Sequence, residues 1–331
     1  MQDLRYITGI LSILFSGAVI FAAGTELSKL RPVATYSIVA RDSATGQLGV
    51  AVQSHWFSVG SLVTWARAGV GAVATQSFVL VDYGPDGLAL MEAGMAAPEA
   101  LARLVEGDEG RAVRQVAMIN AAGNVAAHTG ERCIKAAGHY VGDDFSVQAN
   151  LMLSDQVWPR MKTAFENTTG NLAERMLAAL EAAESVGGDI RGRQSAAMLI
   201  VSGEKQEQPW QGVIMELRVE DHPDPLGELR RLIKVHRAYE YMNAGDLAVE
   251  QGDNEGALRE YGAAEADFPD NLEMKFWHAV ALVNMDRLEK SYPFFQTIFR
   301  QDKNWRVLLP RLVLSELIGQ EAVDKILEEV K

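Results

Sequence analysis

From Thr35 to about residue 222 the apolar runs are short and come two at a time, and so do the helical stretches. Thr35 to Ala40 and Leu48 to Ser54 are β-branched and separated by Asp42-Ser43-Ala44-Thr45-Gly46, a turn-rich connection suited to a hairpin. Gln115 to Asn120 and Val125 to Thr129 repeat that arrangement around Ala121-Ala122-Gly123-Asn124, and Gln194 to Val201 with Val213 to Val219 makes a third pair. Val70 to Ser77 and Phe145 to Leu151 read as further strands. Between them lie two helix pairs, Pro85 to Gly94 with Pro98 to Glu106, and Gln156 to Glu166 with Asn171 to Ser185. Parallel strands need a long crossover between neighbours, and few are present. The pattern predicts antiparallel sheets covered by helices, an α+β layered sandwich.

Beyond residue 222 the rhythm changes. Ala238 to Asn271 and Leu272 to Trp305 are consecutive units of 34 residues, the tetratricopeptide period. In the first unit Tyr241, Gly245, Ala257, Tyr261, Ala264 and Pro269 supply the aromatic, small and proline positions of that repeat. The second keeps the apolar spacing with Phe276, Ala279, Leu282, Phe295 and Ile298, while Lys303 stands where Pro is wanted. Two repeats bury little surface, so Leu226 to His236 and Val307 to Val330 are expected as flanking helices that complete the stack. Residues 226 to 331 are therefore expected as an all-α tetratricopeptide-like domain after a domain at 35 to 222.

Residues 1 to 24 read as a leader. Tyr6 to Thr25 runs for 20 residues without a charge, after a short segment with one basic side chain. This is the pattern of an export signal, with Ala22, Ala23 and Gly24 suited to cleavage. The run is also long enough to span a bilayer, so an uncleaved membrane anchor is the competing reading. Either way the folded part is expected outside the cytoplasm, periplasmic or secreted. The lone Cys133 makes no internal disulfide, so packing has to stabilise the fold; 48% apolar residues allow that. A net charge of −13 without a basic stripe argues against nucleic acid and anionic membrane surface as partners.

Thr35 is the candidate nucleophile. A hydroxyl residue at the head of the first strand supplies both the attacking oxygen and, if the chain is cut before it, the amine that takes the proton. Several segments then resemble one family as a set. They are Thr35 to Asp42, Gly49-Val50-Ala51-Val52-Gln53-Ser54, Trp65 to Gln76, Tyr83-Gly84-Pro85, Ala137-Gly138-His139, Val147 to Leu151, Gly187-Gly188-Asp189, Arg193 to Ala197 and Asp221 to Pro225. Together they resemble domain-of-unknown-function family 1028, grouped with the Ntn (N-terminal nucleophile) hydrolases. The resemblance implies a four-layer αββα sandwich over residues 35 to 225 and hydrolysis of an amide bond in a small molecule or peptide. In many relatives the equivalent Thr follows the initiator Met or a signal cut directly. Here Thr25 to Ala34 remain in between, so a second cleavage between Ala34 and Thr35 is required. Some C-terminal extensions in that family are described as peptidoglycan-binding, which implies a cell-wall contact and a cell-wall amide substrate, whereas the repeat spacing points to a protein partner. Homo-oligomer formation stays open, and neither a cofactor nor a metal is implied.

Polar residues that end or interrupt apolar strands complete the candidate set. Asn150 and Gln53 are assigned with Thr35 to catalysis, Asn150 as a donor to the developing oxyanion. Ser54, Thr75, Gln76 and Arg193 are assigned to substrate binding, Arg193 as a bidentate carboxylate ligand unless it pairs with Asp189. The common use of buried amides and hydroxyls is to satisfy backbone groups, and these residues are open to that use as well. Asp42 could pair with Arg41 or Arg67, or orient the nucleophile. Cys133 with His128 or His139 is read as a buried thiol rather than a nucleophile. Asp221, His222 and Asp224 are read as a rigid turn rather than a metal site. The rival to an amidohydrolase is a non-catalytic sandwich that binds a small ligand, with the repeats as an assembly platform.

Overall fold

A computed structural model describes residues 33–331, and the expected leader lies outside them. Strands β1 (Thr35–Arg41), β2 (Leu48–Ser54), β7 (Gly138–Gly142), β8 (Phe145–Ala149), β9 (Ser195–Val201) and β10 (Val213–Val219) form a six-stranded sheet in the order β10-β9-β2-β1-β8-β7. A second sheet, β3-β4-β5-β6, is made of Thr64–Arg67, Gly71–Ser77, Arg114–Asn120 and Val125–Thr129. Every strand pairing among the described residues is antiparallel, and β1 is bonded on both sides, to β2 and to β8. The three expected hairpins are present. Strands β3 and β7 are not foreshadowed: β7 has a largely exposed pattern, as an edge strand without a buried face does.

The period of two along β1 decides what faces what. Tyr36, Ile38 and Ala40 pack with Phe165, Met176 and Leu180, which lie on α4 (Val157–Asn167) and α5 (Leu172–Ser185). Val39, one residue out of phase, packs instead with Ala72, Ala74, Ala117 and Ile119 of the smaller sheet. The two sheets therefore face each other across one side of β1. The outer face of the smaller sheet, through Val73, Val116 and Met118, is covered by Leu88 and Met91 of α2 (Tyr83–Glu92) and Leu101 of α3 (Ala97–Gly107). Helix α5 starts on a capping box, with Asn171 and Glu174 each bonded to the other's backbone N–H. A one-turn helix, α1 (Gly60–Val63), joins β2 to β3.

The C-terminal region is helical: α6 (Pro225–Glu250), α7 (Asn254–Asp267), α8 (Leu272–Asn284), α9 (Leu288–Gln301), α10 (Asn304–Leu308) and α11 (Gln320–Glu329). Two expectations differ in detail. Leu226 to His236 is not separate from the first repeat helix, because nothing between His236 and Ala238 breaks a helix, and α6 runs on for 26 residues. Its first half places Leu226, Leu229 and Ile233 in the core beneath the six-stranded sheet, and its second half places Ala238 and Met242 against Ala257, Tyr261 and Ala264 of α7. The expected helix from Val307 to Val330 is broken near Pro310, which has no N–H to give, and resumes after Gly319. No helix among the described residues is long and apolar enough to cross a membrane.

Gly245 sits where α6 meets α7, and a Cβ there would stand 2.6 Å from the Tyr261 ring. Gly245→Val should overpack that contact and lower unfolding stability by about 1–3 kcal/mol. Urea denaturation of the full chain measures it, and an unchanged midpoint would show that the ring moves aside at no cost.

Candidate active site at the head of the central strand

Thr35 is the first residue of β1 and lies completely buried on the side that faces the second sheet. The two residues before it are held as tightly as the strand itself. Val33 exchanges both backbone hydrogen bonds with Ser77 at the end of β4, Val33 N–H to Ser77 O at 2.7 Å and Ser77 N–H to Val33 O at 3.0 Å. The Ala34 carbonyl accepts from Ser54 Oγ at 2.5 Å and from Arg191 Nη2 at 2.9 Å. Thr35 Oγ1 has one proton to give, to Val33 O at 2.8 Å or to Ser54 Oγ at 3.2 Å. Its own carbonyl accepts from Asn150 N–H at 3.1 Å and from Gln76 Nε2 at 3.2 Å.

Behind Thr35 runs a layer of buried amides between the sheets. Gln76 Oε1 accepts from Ser37 Oγ at 2.6 Å, and its Nε2 donates to Gln115 Oε1 at 2.7 Å. The same Gln115 oxygen takes Asn150 Nδ2 at 2.9 Å, while Gln115 Nε2 reaches the Ala149 carbonyl at 2.9 Å and Thr129 Oγ1 at 2.9 Å. Gln148 closes the layer by donating to Ser37 Oγ at 2.6 Å. Asn150 Oδ1 is left buried without a hydrogen-bond partner among the described residues. Two non-glycine residues with left-handed backbone flank the site, Ser77 (φ 70°) and Leu151 (φ 61°). Such conformations cost free energy and persist where the surroundings over-determine them.

Arg191 has a reading that the sequence did not reveal. Asp189, whose side chain is fully buried, holds the guanidinium in a fork, Nε to Oδ1 at 3.0 Å and Nη2 to Oδ2 at 2.8 Å. Asp189 also accepts from the backbone N–H of His55 and of Arg191, so each of its oxygens takes more than one donor. The only signal in the sequence is the spacing Asp189-x-Arg191 after two glycines. Arg193 does not pair with Asp189. Its side chain is turned to Glu184 at 2.9 Å and Asp224 at 3.5 Å, beside an open hollow of 280 Å³ lined by His55, Gln194, Asp221 and His222.

Of the remaining candidates, Ser54, Gln76 and Asn150 converge on Thr35. Gln53 does not join them. It lies one residue out of phase with Ser54, on the helix-covered face with Ala51 and Tyr36, with both amide atoms buried and unbonded among the described residues. Beside it the Tyr36 hydroxyl donates to Glu184 at 2.7 Å, and its pKa is pushed well above the ordinary value, first by burial and then by that carboxylate. Thr75 is likewise on the outer face of its sheet and spends its hydroxyl on the Leu80 carbonyl at 3.0 Å. Asp42 sits at the far end of β1, caps the turn through Ala44 and Thr45, and has Arg175 at 3.6 Å rather than Arg41 or Arg67. Cys133 donates to the Arg114 carbonyl, and burial pushes its thiol pKa up. The Asp221-His222-Asp224 turn caps α6: His222 Nδ1 accepts from Asp224 N–H at 3.0 Å, and Asp224 accepts from Gly227 N–H.

Residues 35–229 match the model of a family described as "Family of unknown function (DUF1028)". The chain belongs to that family. A crystal structure of a DUF1028 protein from Silicibacter pomeroyi is similar to it at 30% identity and a TM-score of 0.54, over 61% of this chain and 88% of that one. No curated protein matches the chain. The matched stretch of this DUF1028 member begins at the residue whose hydroxyl and carbonyl are surrounded by Ser54, Gln76, Asn150 and, through Ala34, Arg191.

Gln115 is the hub of the amide layer. Gln115→Leu should strand the buried donors of Gln76 and Asn150, costing about 1–3 kcal/mol for each group left unsatisfied. Guanidinium unfolding monitored by fluorescence would read that loss, and a neutral result would mean that water replaces the amide.

Proposed function

We propose that this DUF1028 protein is an exported amidohydrolase of the Ntn type, with Thr35 as its nucleophile once every residue before it has been removed. The observation that carries the proposal is the grip on the Ala34 carbonyl by Ser54 Oγ and Arg191 Nη2. Two fixed donors on a carbonyl oxygen stabilise the charge that develops there when its carbon is attacked. Thr35 Oγ1 lies within hydrogen-bonding distance of one of those donors. The order of layers, helices, six-stranded sheet, four-stranded sheet, helices, supports an αββα sandwich of the Ntn kind.

The same atoms suit the cut and the later turnover. In the cut, Thr35 Oγ1 bonds to the Ala34 carbonyl carbon, its proton passes to the Thr35 nitrogen, and the carbon–nitrogen bond breaks to leave an ester. Water hydrolyses the ester, Ala34 departs as a carboxylate, and Thr35 keeps a free hydroxyl and a free amine. With a substrate, that amine takes the hydroxyl proton as Oγ1 attacks, then returns it to the leaving nitrogen, and water hydrolyses the resulting ester to release the acid and restore the hydroxyl. Ser54 and Arg191 take the oxyanion role expected of Asn150. Asn150 and Gln76 instead hold the Thr35 carbonyl and so fix the strand head, while Asp189 holds Arg191. The helical region is read as tetratricopeptide-like, with small residues under aromatics as at Gly245 and Tyr261, and its role is contact with a protein partner.

Protein recovered from the cell envelope should have the intact mass of a chain that starts at Thr35. Thr35→Ala should leave the preceding residues attached and abolish turnover of an amide library, and Thr35→Ser should retain part of it. Ser54→Ala should lower kcat about 10²–10³-fold, as loss of one oxyanion donor does. A mature chain that still carries residues 25 to 34, and works equally well after Thr35→Ala, would end the mechanism.

A further inference from the structure

We infer that the channel now filled by Val33 and Ala34 is the acyl-side subsite of the enzyme, and that it takes an extended peptide whose acyl residue is as small as alanine. The inference rests on the Ntn reading of Thr35 and adds to it the class of substrate. Its chemical basis is that the cut and the turnover pass through the same kind of intermediate. In both, an acyl carbon is esterified to Thr35 Oγ1, with its oxygen between Ser54 and Arg191. Whatever stands on the acyl side of a substrate therefore inherits the path that Val33 and Ala34 occupy before the cut.

That path recognises a peptide backbone. Val33 presents its N–H and its carbonyl to Ser77 as a strand does to a ladder neighbour, at 2.7 and 3.0 Å, which is how an added strand is bound at the end of a sheet. The left-handed backbone of Ser77 is part of the edge that meets Val33. The side-chain positions are selective by size. Ala34 has no exposed surface at all, and Val33 packs among Val52, Val59 and Val63 in the apolar core between the sheets. A methyl group fills the first position and a branched apolar side chain the second. The cation on this path, Arg191, is engaged by Asp189 and by the carbonyl oxygen itself, so the path offers a carboxylate side chain no dedicated partner.

The test uses the cut form, residues 35–331, confirmed by intact mass, and acetyl-Val-Ala as the free acid in a calorimeter. Acetyl-Val-Ala should bind, whereas acetyl-Val-Leu and the N-methylvalyl analogue, which lacks the N–H given to Ser77, should each bind at least about tenfold more weakly. Equal binding of the three peptides, or binding of none, overturns the inference. The anilide of acetyl-Val-Ala separates the two readings: selective binding without any Thr35-dependent hydrolysis keeps the subsite and removes the enzyme, while hydrolysis of the alanyl and leucyl anilides at equal rates keeps the enzyme and removes the subsite. Should the cut form not stay folded, the uncut chain answers the same question. Ala34→Leu should then lower Tm by several degrees and Ala34→Ser should not, and equal melting of the two variants overturns the size argument.

Discussion

The spacing between the two sheets at the Thr35 end is set by amides rather than by hydrocarbon. Gln115, on the smaller sheet, gives its Nε2 protons to acceptors that include the Ala149 carbonyl of the larger one, and takes on its oxygen the amides of Gln76 and Asn150. A hydrocarbon contact has no preferred direction, whereas a buried hydrogen bond weakens steeply with distance and angle. Each such group left unpaired costs about 1–3 kcal/mol, so a shift of either sheet that broke these bonds would destabilise the fold. Thr35 is positioned as part of that layer, through its carbonyl.

The space between the sheets is thereby divided. Toward the Asp42 end it is filled by Val39, Val50 and Ile119, which contribute the hydrophobic stabilisation. Toward the Thr35 end a buried amide and hydroxyl layer surrounds the strand head, beside an apolar group of Val33, Val52, Val59 and Val63. A reactive hydroxyl in such a place feels a low dielectric and fixed dipoles, and both strengthen electrostatic stabilisation of an attacked carbonyl. Among the described residues the buried side-chain oxygens left without a partner at this end include Asn150 Oδ1, Ser77 Oγ and Gln53 Oε1.

Much of the architecture was legible because it is written in local chemistry. Turn residues between β-branched runs mark the hairpins, and Asn171 with Glu174 marks a helix start. What escaped was set by tertiary partners. Strand β7 exists because β8 offers it a ladder, and α6 passes the expected boundary because packing on β9 and β10 holds its first half. In the candidate site, hydroxyl and amide type picked out Ser54, Gln76 and Asn150, but type cannot tell which face of a strand a residue occupies. Gln53 and Thr75 differ from Ser54 and Gln76 by one residue and so point the other way. Arg191 escaped because its meaning depends on Ala34, a residue 157 positions away in the chain.

Helix α6 has a mechanical consequence. At 26 residues it is a rod of about 39 Å, embedded for half its length in the core under β9 and β10 and for the other half against α7. The helical region is thus joined to the sheets by a stiff beam instead of a tether. Torque applied to α7 or α8 by anything that grips them is delivered to the strand β9, whose neighbour β2 ends in Ser54. Stiffness of that kind makes the distance between anything held on α7 or α8 and the head of β1 a constant of the molecule.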